Sequence, residues 1–71
     1  MEAIILFHST NYAIWAQDLL KKNNITCKTI PVPRDLSSDC GYCVRTSPED
    51  SNSAEELLKE NDVEYDRVVV R

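Results

Sequence analysis

The run AIILF at residues 3–7 constrains the fold of this chain more than any other stretch. It is too short for a helix and apolar at both parities: Ala3, Ile5 and Phe7 against Ile4 and Leu6. That pattern predicts a central strand covered on both faces. The chain has only 71 residues to supply the covers. A single domain of that size lies near the lower limit for a self-sufficient core. Ordering each residue costs roughly 1.5 kcal/mol, which apolar burial in so small a chain barely offsets.

His8-Ser9-Thr10-Asn11 follows and is rich in N-capping side chains. Tyr12, Ala13, Ala16, Leu19 and Leu20 then recur at spacings of three and four. They predict an amphipathic helix ending at Lys21-Lys22-Asn23-Asn24, with its cations suited to the C-terminal dipole. Residues 25–30 predict a second strand, halted by Pro31 and Pro33. Residues 34–39 are polar and turn-forming. In residues 41–46, Tyr42 and Val44 alternate with Cys43 and Arg45, as a strand would place them on opposite faces. A second helix starts at Ser47-Pro48 or at Ser53. The capping box Ser53-Ala54-Glu55-Glu56 favours Ser53. Val68-Val69-Val70 closes the chain as a last strand.

The order strand, helix, strand, strand, helix, strand predicts one domain over residues 1–71. It is of the α+β class: a ferredoxin-like βαββαβ sandwich, a four-stranded antiparallel sheet with two helices on one face. Strands one and three would be central and antiparallel. The end of strand one, the start of helix one, the exit of strand two and the beginning of strand three would then share one edge. Helix two would start at the opposite edge. Ile4, Leu6 and Cys43 would lie on the face without helices, and an uncovered apolar face predicts a homodimer or a stable hetero-complex through it.

A net charge of −4, with scattered basic residues, argues against nucleic acid and anionic membranes as partners. No segment reaches the ~20 apolar residues of a membrane span, and the N-terminal run lacks the basic flank of a leader. Three cysteines make an odd and sparse set for a secreted disulfide scaffold. Reduced thiols in a cytoplasm are therefore expected.

The chemistry concentrates in IPVPRDLSSDCGYC, residues 30–43. Near the start of helix one, with Arg34 and His8 as possible neighbours, Cys40 would favour the reactive thiolate. Asp35 and Asp39 oppose a second anion, and a buried structural cysteine is the competing reading. Gly41 would let the backbone bend or approach a substrate. Arg34, in its stiff proline setting, suits a bidentate anion clamp. His8 is a candidate acid/base partner of Cys40, or simply a hydrogen-bonded edge residue. Cys43 completes C-G-Y-C, but cysteines three apart on a strand point to opposite faces, unlike a helix-opening redox motif. Cys27 reads as core. Two cysteines fall short of a closed zinc site unless His8 and Cys27, or a second subunit, complete it. No cofactor fingerprint is present, and no metal or cofactor is expected.

The stretch PVPRDLSSDCGYCVR resembles the signature of the small bacterial family described as putative Se/S carrier protein-like. The shared features are a proline-arginine segment, a serine-rich turn, and Cys-Gly leading into an apolar strand that ends in arginine. The flanking elements match as well. The resemblance implies that Cys40 carries sulfur or selenium as a persulfide or selenosulfide, with Pro33, Arg34 and Gly41 as matching motif positions. A carrier of this kind accepts its cargo from a donor such as a cysteine desulfurase, passes it to an acceptor protein, and is not itself an enzyme. Two other readings remain open at this point. One is a thiol-disulfide redox protein using Cys40 and Cys43. The other is an interaction module with inert cysteines.

Overall fold

The computed structural model describes residues 1–36 and 41–71. The elements are β1 (Ala3–Leu6), α1 (Thr10–Lys22), β2 (Cys27–Pro31), β3 (Tyr42–Thr46), α2 (Ser51–Glu60) and β4 (Arg67–Val70). All strand pairs are antiparallel, in the order β2-β3-β1-β4. This is the expected α+β architecture, and the order fits the ferredoxin-like arrangement with β1 and β3 at the centre.

The AIILF run behaves as its parity demands, with every residue from Ala3 to Phe7 fully buried. Ile5 and Phe7 face the helices. They pack with Ala13, Ala16 and Leu20 of α1, Ala54 and Leu58 of α2, and Val44 of β3. Ile4 and Leu6 face the other side and meet Cys43. That second face departs from expectation, because it is not left open. The segment after β2 folds back over it, placing Val32 and Leu36 on Ile4, Leu6 and Cys43. A turn closed by the Leu36 N–H donating to the Pro33 carbonyl (3.0 Å) shapes this strap. Asp35 then forms an ion pair with Arg71, which follows β4 at the far side of the sheet. The covered centre removes the reason for docking a partner through Ile4, Leu6 and Cys43.

Both helices end alike. Asn24 and Asp62 adopt left-handed backbone, at φ 63° and 56°. The Ile25 N–H then reaches back to the Leu20 carbonyl (3.0 Å), and the Val63 N–H to that of Leu58 (2.9 Å). These are Schellman closures, each sealed by a buried apolar pair. The first of them delays β2 to Cys27, beyond the expected Ile25.

Helix two also corrects an expectation. A short 3₁₀ turn at Pro48–Asp50 leads directly into α2, so the helical segment opens at Ser47-Pro48 and Ser53 lies inside it. Pro48 supplies a pre-set φ at the first position. The Ser47 carbonyl accepts from the Asp50 N–H (3.0 Å), and the Ser47 hydroxyl bonds the Asp50 carboxylate (2.8 Å). These local bonds outcompete the capping-box pattern three residues on.

Candidate thiol-bearing edge

The sheet register fixes what meets at the edge where β1 ends. Leu6 pairs with Cys43 and with Arg67, and Pro31 pairs with Tyr42. The Val32 N–H donates to the Gly41 carbonyl (3.1 Å), so the β2–β3 ladder runs one step past the strand ends. Helix α1 begins at the same edge. Ser9 caps it, its hydroxyl accepting from the Tyr12 N–H (3.4 Å), and no acidic residue occupies the first turn. The exit of β2, Gly41, the end of β1 that precedes His8 and the start of α1 thus share one edge, as expected, while Asp35 and Leu36 run on over the sheet face to Arg71 and to Ile4 and Leu6. Cys40 lies outside the described residues, and so do Ser37, Ser38 and Asp39.

Arg34 is exposed, between Pro33 and Asp35 in the strap turn. Asp35, which by itself would oppose a thiolate nearby, is engaged by Arg71. Gly41 is exposed, its φ is not positive, and a Cβ there would meet nothing described within 4 Å. Its backbone therefore needs no glycine for a bend. His8 turns toward the α2–β4 connection, its Nε2 3.8 Å from Asp66 Oδ1. There it lines a cavity of about 560 Å³ with Leu58, Tyr65 and Asp66.

Cys43 sits within β3 as a strand residue, fully buried beneath the strap, with its Sγ 3.9 Å from the Pro31 carbonyl. Cys27 belongs to the helix-side core, and its Sγ faces the Gln17 carbonyl at 3.7 Å. Burial pushes its thiol up from the ordinary value of 9.0, with Lys21 partly offsetting this and Asp18 adding to it. Cys27 and His8 cannot share a metal. Cys27 pairs with Thr46, which pairs with Ala3 at one end of the sheet, whereas His8 follows β1 at the other. Among the described residues no group of three or more metal-ligating side chains occurs, and no helix is long and apolar enough to cross a membrane.

Sequence reasoning missed Gln17. Its amide oxygen accepts from the Thr29 N–H (2.9 Å) and from the Thr29 hydroxyl, tying α1 to the outer edge of β2. Residue 17 borders the apolar stripe of α1, and nothing in its spacing marks it as a cross-element acceptor.

The described residues form a small α+β sandwich in which a proline-arginine strap follows β2 and covers the face without helices. The family described as "Putative Se/S carrier protein-like" matches residues 2–70, and the chain belongs to that family. Neither a curated protein nor a solved structure matches it.

Proposed function

We propose that the protein is a cytoplasmic carrier of sulfur or selenium, with Cys40 as the carrying thiol. The observation that supports this most directly is the family match across residues 2–70, which spans the motif containing Cys40. Loading begins when the Cys40 thiolate attacks the outer sulfur of a donor persulfide, such as that of a cysteine desulfurase. The donor leaves as its thiolate and Cys40 becomes the persulfide. In delivery an acceptor thiolate attacks that outer sulfur, and Cys40 departs as thiolate. Selenium follows the same displacement through a selenosulfide. Neither step is a net redox change, so the protein needs no cofactor. Arg34 and the first turn of α1 favour the anionic forms of Cys40, by charge and by helix N–H groups. Gly41 leaves room for the incoming chain, and His8 is the candidate for proton exchange.

The redox reading gains no support from Cys43, which lies in a strand and under the strap rather than at a helix start. Mass spectrometry of protein isolated without reductant tests the proposal. One added sulfur or selenium, mapped to Cys40 and absent from Cys40→Ser, is expected. Cys43→Ser should load normally. Loss of two hydrogens in place of an added chalcogen would move the assignment to the dithiol pair. In the folded protein, Arg34→Ala should slow alkylation of Cys40, because less of the thiol is ionised.

A further inference from the structure

Among the described residues, the strap is what closes the way to Cys43. β3 is a central strand, so Ile30 and Leu6 stand directly across from Cys43 on its two sides. The helices cover the opposite face of the sheet. Val32 and Leu36 close the remaining side. Cys43, Ile4 and Leu6 are fully buried, yet the two residues that cover them are only half-buried themselves. The cover is thinner than what it covers. Among the described residues, two polar ties join it to the rest of the fold. One is the Val32 N–H donating to the Gly41 carbonyl (3.1 Å), the other the Asp35–Arg71 ion pair. The Leu36 N–H bond to the Pro33 carbonyl is internal to the strap and travels with it.

We propose that the strap is a latched gate over Cys43. Residues 32–36 lift as one unit while sheet and helices stay closed, and the Asp35–Arg71 pair sets how often they do. Segments with few buried contacts and exposed polar ties are the ones that open locally, ahead of the fold as a whole. The strap fits that description and the helices do not. It leaves β2 at one edge of the strand order, and its latch ends on Arg71, just after β4 at the other. Both latch side chains are exposed, at 66% for Asp35 and 36% for Arg71, so dissolved ions reach the pair and weaken it. The apolar anchors gain nothing from salt of that kind. While the latch is closed, Cys43 takes no part in thiol chemistry; when it opens, the thiol and the apolar face around it become available together. Nothing in this gate depends on Cys40 or on its cargo.

Timed alkylation of the full chain with uncharged iodoacetamide, with peptides mapped by mass, tests the gate. At low salt, Asp35→Asn and Arg71→Ala should each raise the Cys43 rate roughly two- to fivefold, the range of an exposed ion pair. The double variant should be no faster than either single one, because both remove the same contact. Arg71→Lys keeps the charge and should stay near wild type. Sodium chloride at about 1 M, where the Debye length is ~3 Å, should bring wild type up to the variants' rate and leave the variants where they were. The salt arm needs no substitution, so it decides even if a variant is poorly folded. Low urea should raise the Cys43 rate with a slope well below that of global unfolding, since lifting a strap exposes little surface. Amide exchange at Ile5, in the centre of the sheet, should follow the global slope instead. Three results would overturn the proposal. One is a Cys43 rate that shares the full urea slope of Ile5 exchange, which would mean that only whole-chain unfolding exposes it. Another is effects of Asp35→Asn and Arg71→Ala that add. The third is a rate indifferent to salt and to both substitutions.

Discussion

The two faces of the sheet are both dry at the centre, yet they are dried by different means. Against the helices, Ile5, Phe7 and Val44 meet apolar side chains from two helices, each closed by its own Schellman turn. On the other face Ile4, Leu6 and Cys43 are just as buried, under a strap that holds Val32 and Leu36 in place and is latched by one surface ion pair. The first cover is regular secondary structure. The second is a short irregular segment that leads toward Cys40 in the sequence. In this chain the segment that carries the family motif also completes the core, so chemistry and stability are expected to be coupled on one face and separate on the other.

Leucine truncations on the two faces give the largest test of that difference. Leu58 and Leu6 are both fully buried, so their replacement by Ala removes the same atoms. Leu58→Ala opens a cavity between packed helices and sheet and should cost about 3–4 kcal/mol. Leu6→Ala lies under the strap, which can settle into the gap, and should cost about 2–3 kcal/mol. Urea unfolding measures both. Equal losses would mean that the strap packs as rigidly as a helix.

The latch gives a smaller effect on stability and a clearer one on access. Arg71→Ala breaks an exposed ion pair and should cost no more than about 1 kcal/mol. Leu36→Ala removes the strap's apolar anchor and should cost somewhat more. Both should speed alkylation of Cys43 in the folded protein, while Cys27, in the other core, stays at its original rate. If neither variant changes the Cys43 rate, the strap is not what shields it.

The same contrast explains what the sequence disclosed. Periodic features were legible: the double-sided AIILF run, the Ala13-Ala16-Leu20 stripe, the alternation that turns Cys43 away from Val44, and hence the strand order. The unforeseen contacts are non-periodic. Asp35 and Arg71 stand 36 residues apart, and no local pattern foretells that Leu36 lands on Ile4 and Leu6. An open second face was therefore the natural expectation from strand parity alone. The start of α2 was misjudged for a related reason. Ser53-x-x-Glu56 fits a cap in isolation, but Pro48 and the Ser47–Asp50 bonds had already begun the turn. Of the candidate site, the shared edge of the β2 exit, Gly41 and the end of β1 before His8 followed from topology. The turn of His8 toward Asp66 depended on the α2–β4 connection, whose path the sequence does not specify.

A pH titration sharpens the helix-side half of the comparison. The Cys27 thiol is raised above its ordinary value of 9.0 by burial, so the folded state holds that proton more tightly than the unfolded chain does. Its contribution to stability is fully present below the unfolded value. It is lost as pH rises through 9 toward the raised folded value, because only the unfolded state then ionises readily. Thermal melts should show a decline above pH 9 that is shallower in Cys27→Ala. An identical slope in both proteins would assign the decline to other groups.

The smallest expected effect concerns the turns that end the two helices. Asp62 holds a left-handed backbone at φ 56°, a conformation that costs L-residues more than glycine, though Asp and Asn bear it best. Asp62→Gly relieves that cost and gives back part of it as added freedom in the unfolded chain. A net stabilisation of about 0.5 kcal/mol remains. Asn24→Gly should gain less, because asparagine is the better tolerated of the two and its side chain is not needed for the closing bonds. Those bonds come from the backbone N–H groups of residues 24 and 25. Both variants act on the helix-side core alone, so neither should alter the alkylation rate of Cys43. A Cys43 rate that changed with Asp62→Gly would show that the two faces open together, and that the strap and the helices are one cooperative cover.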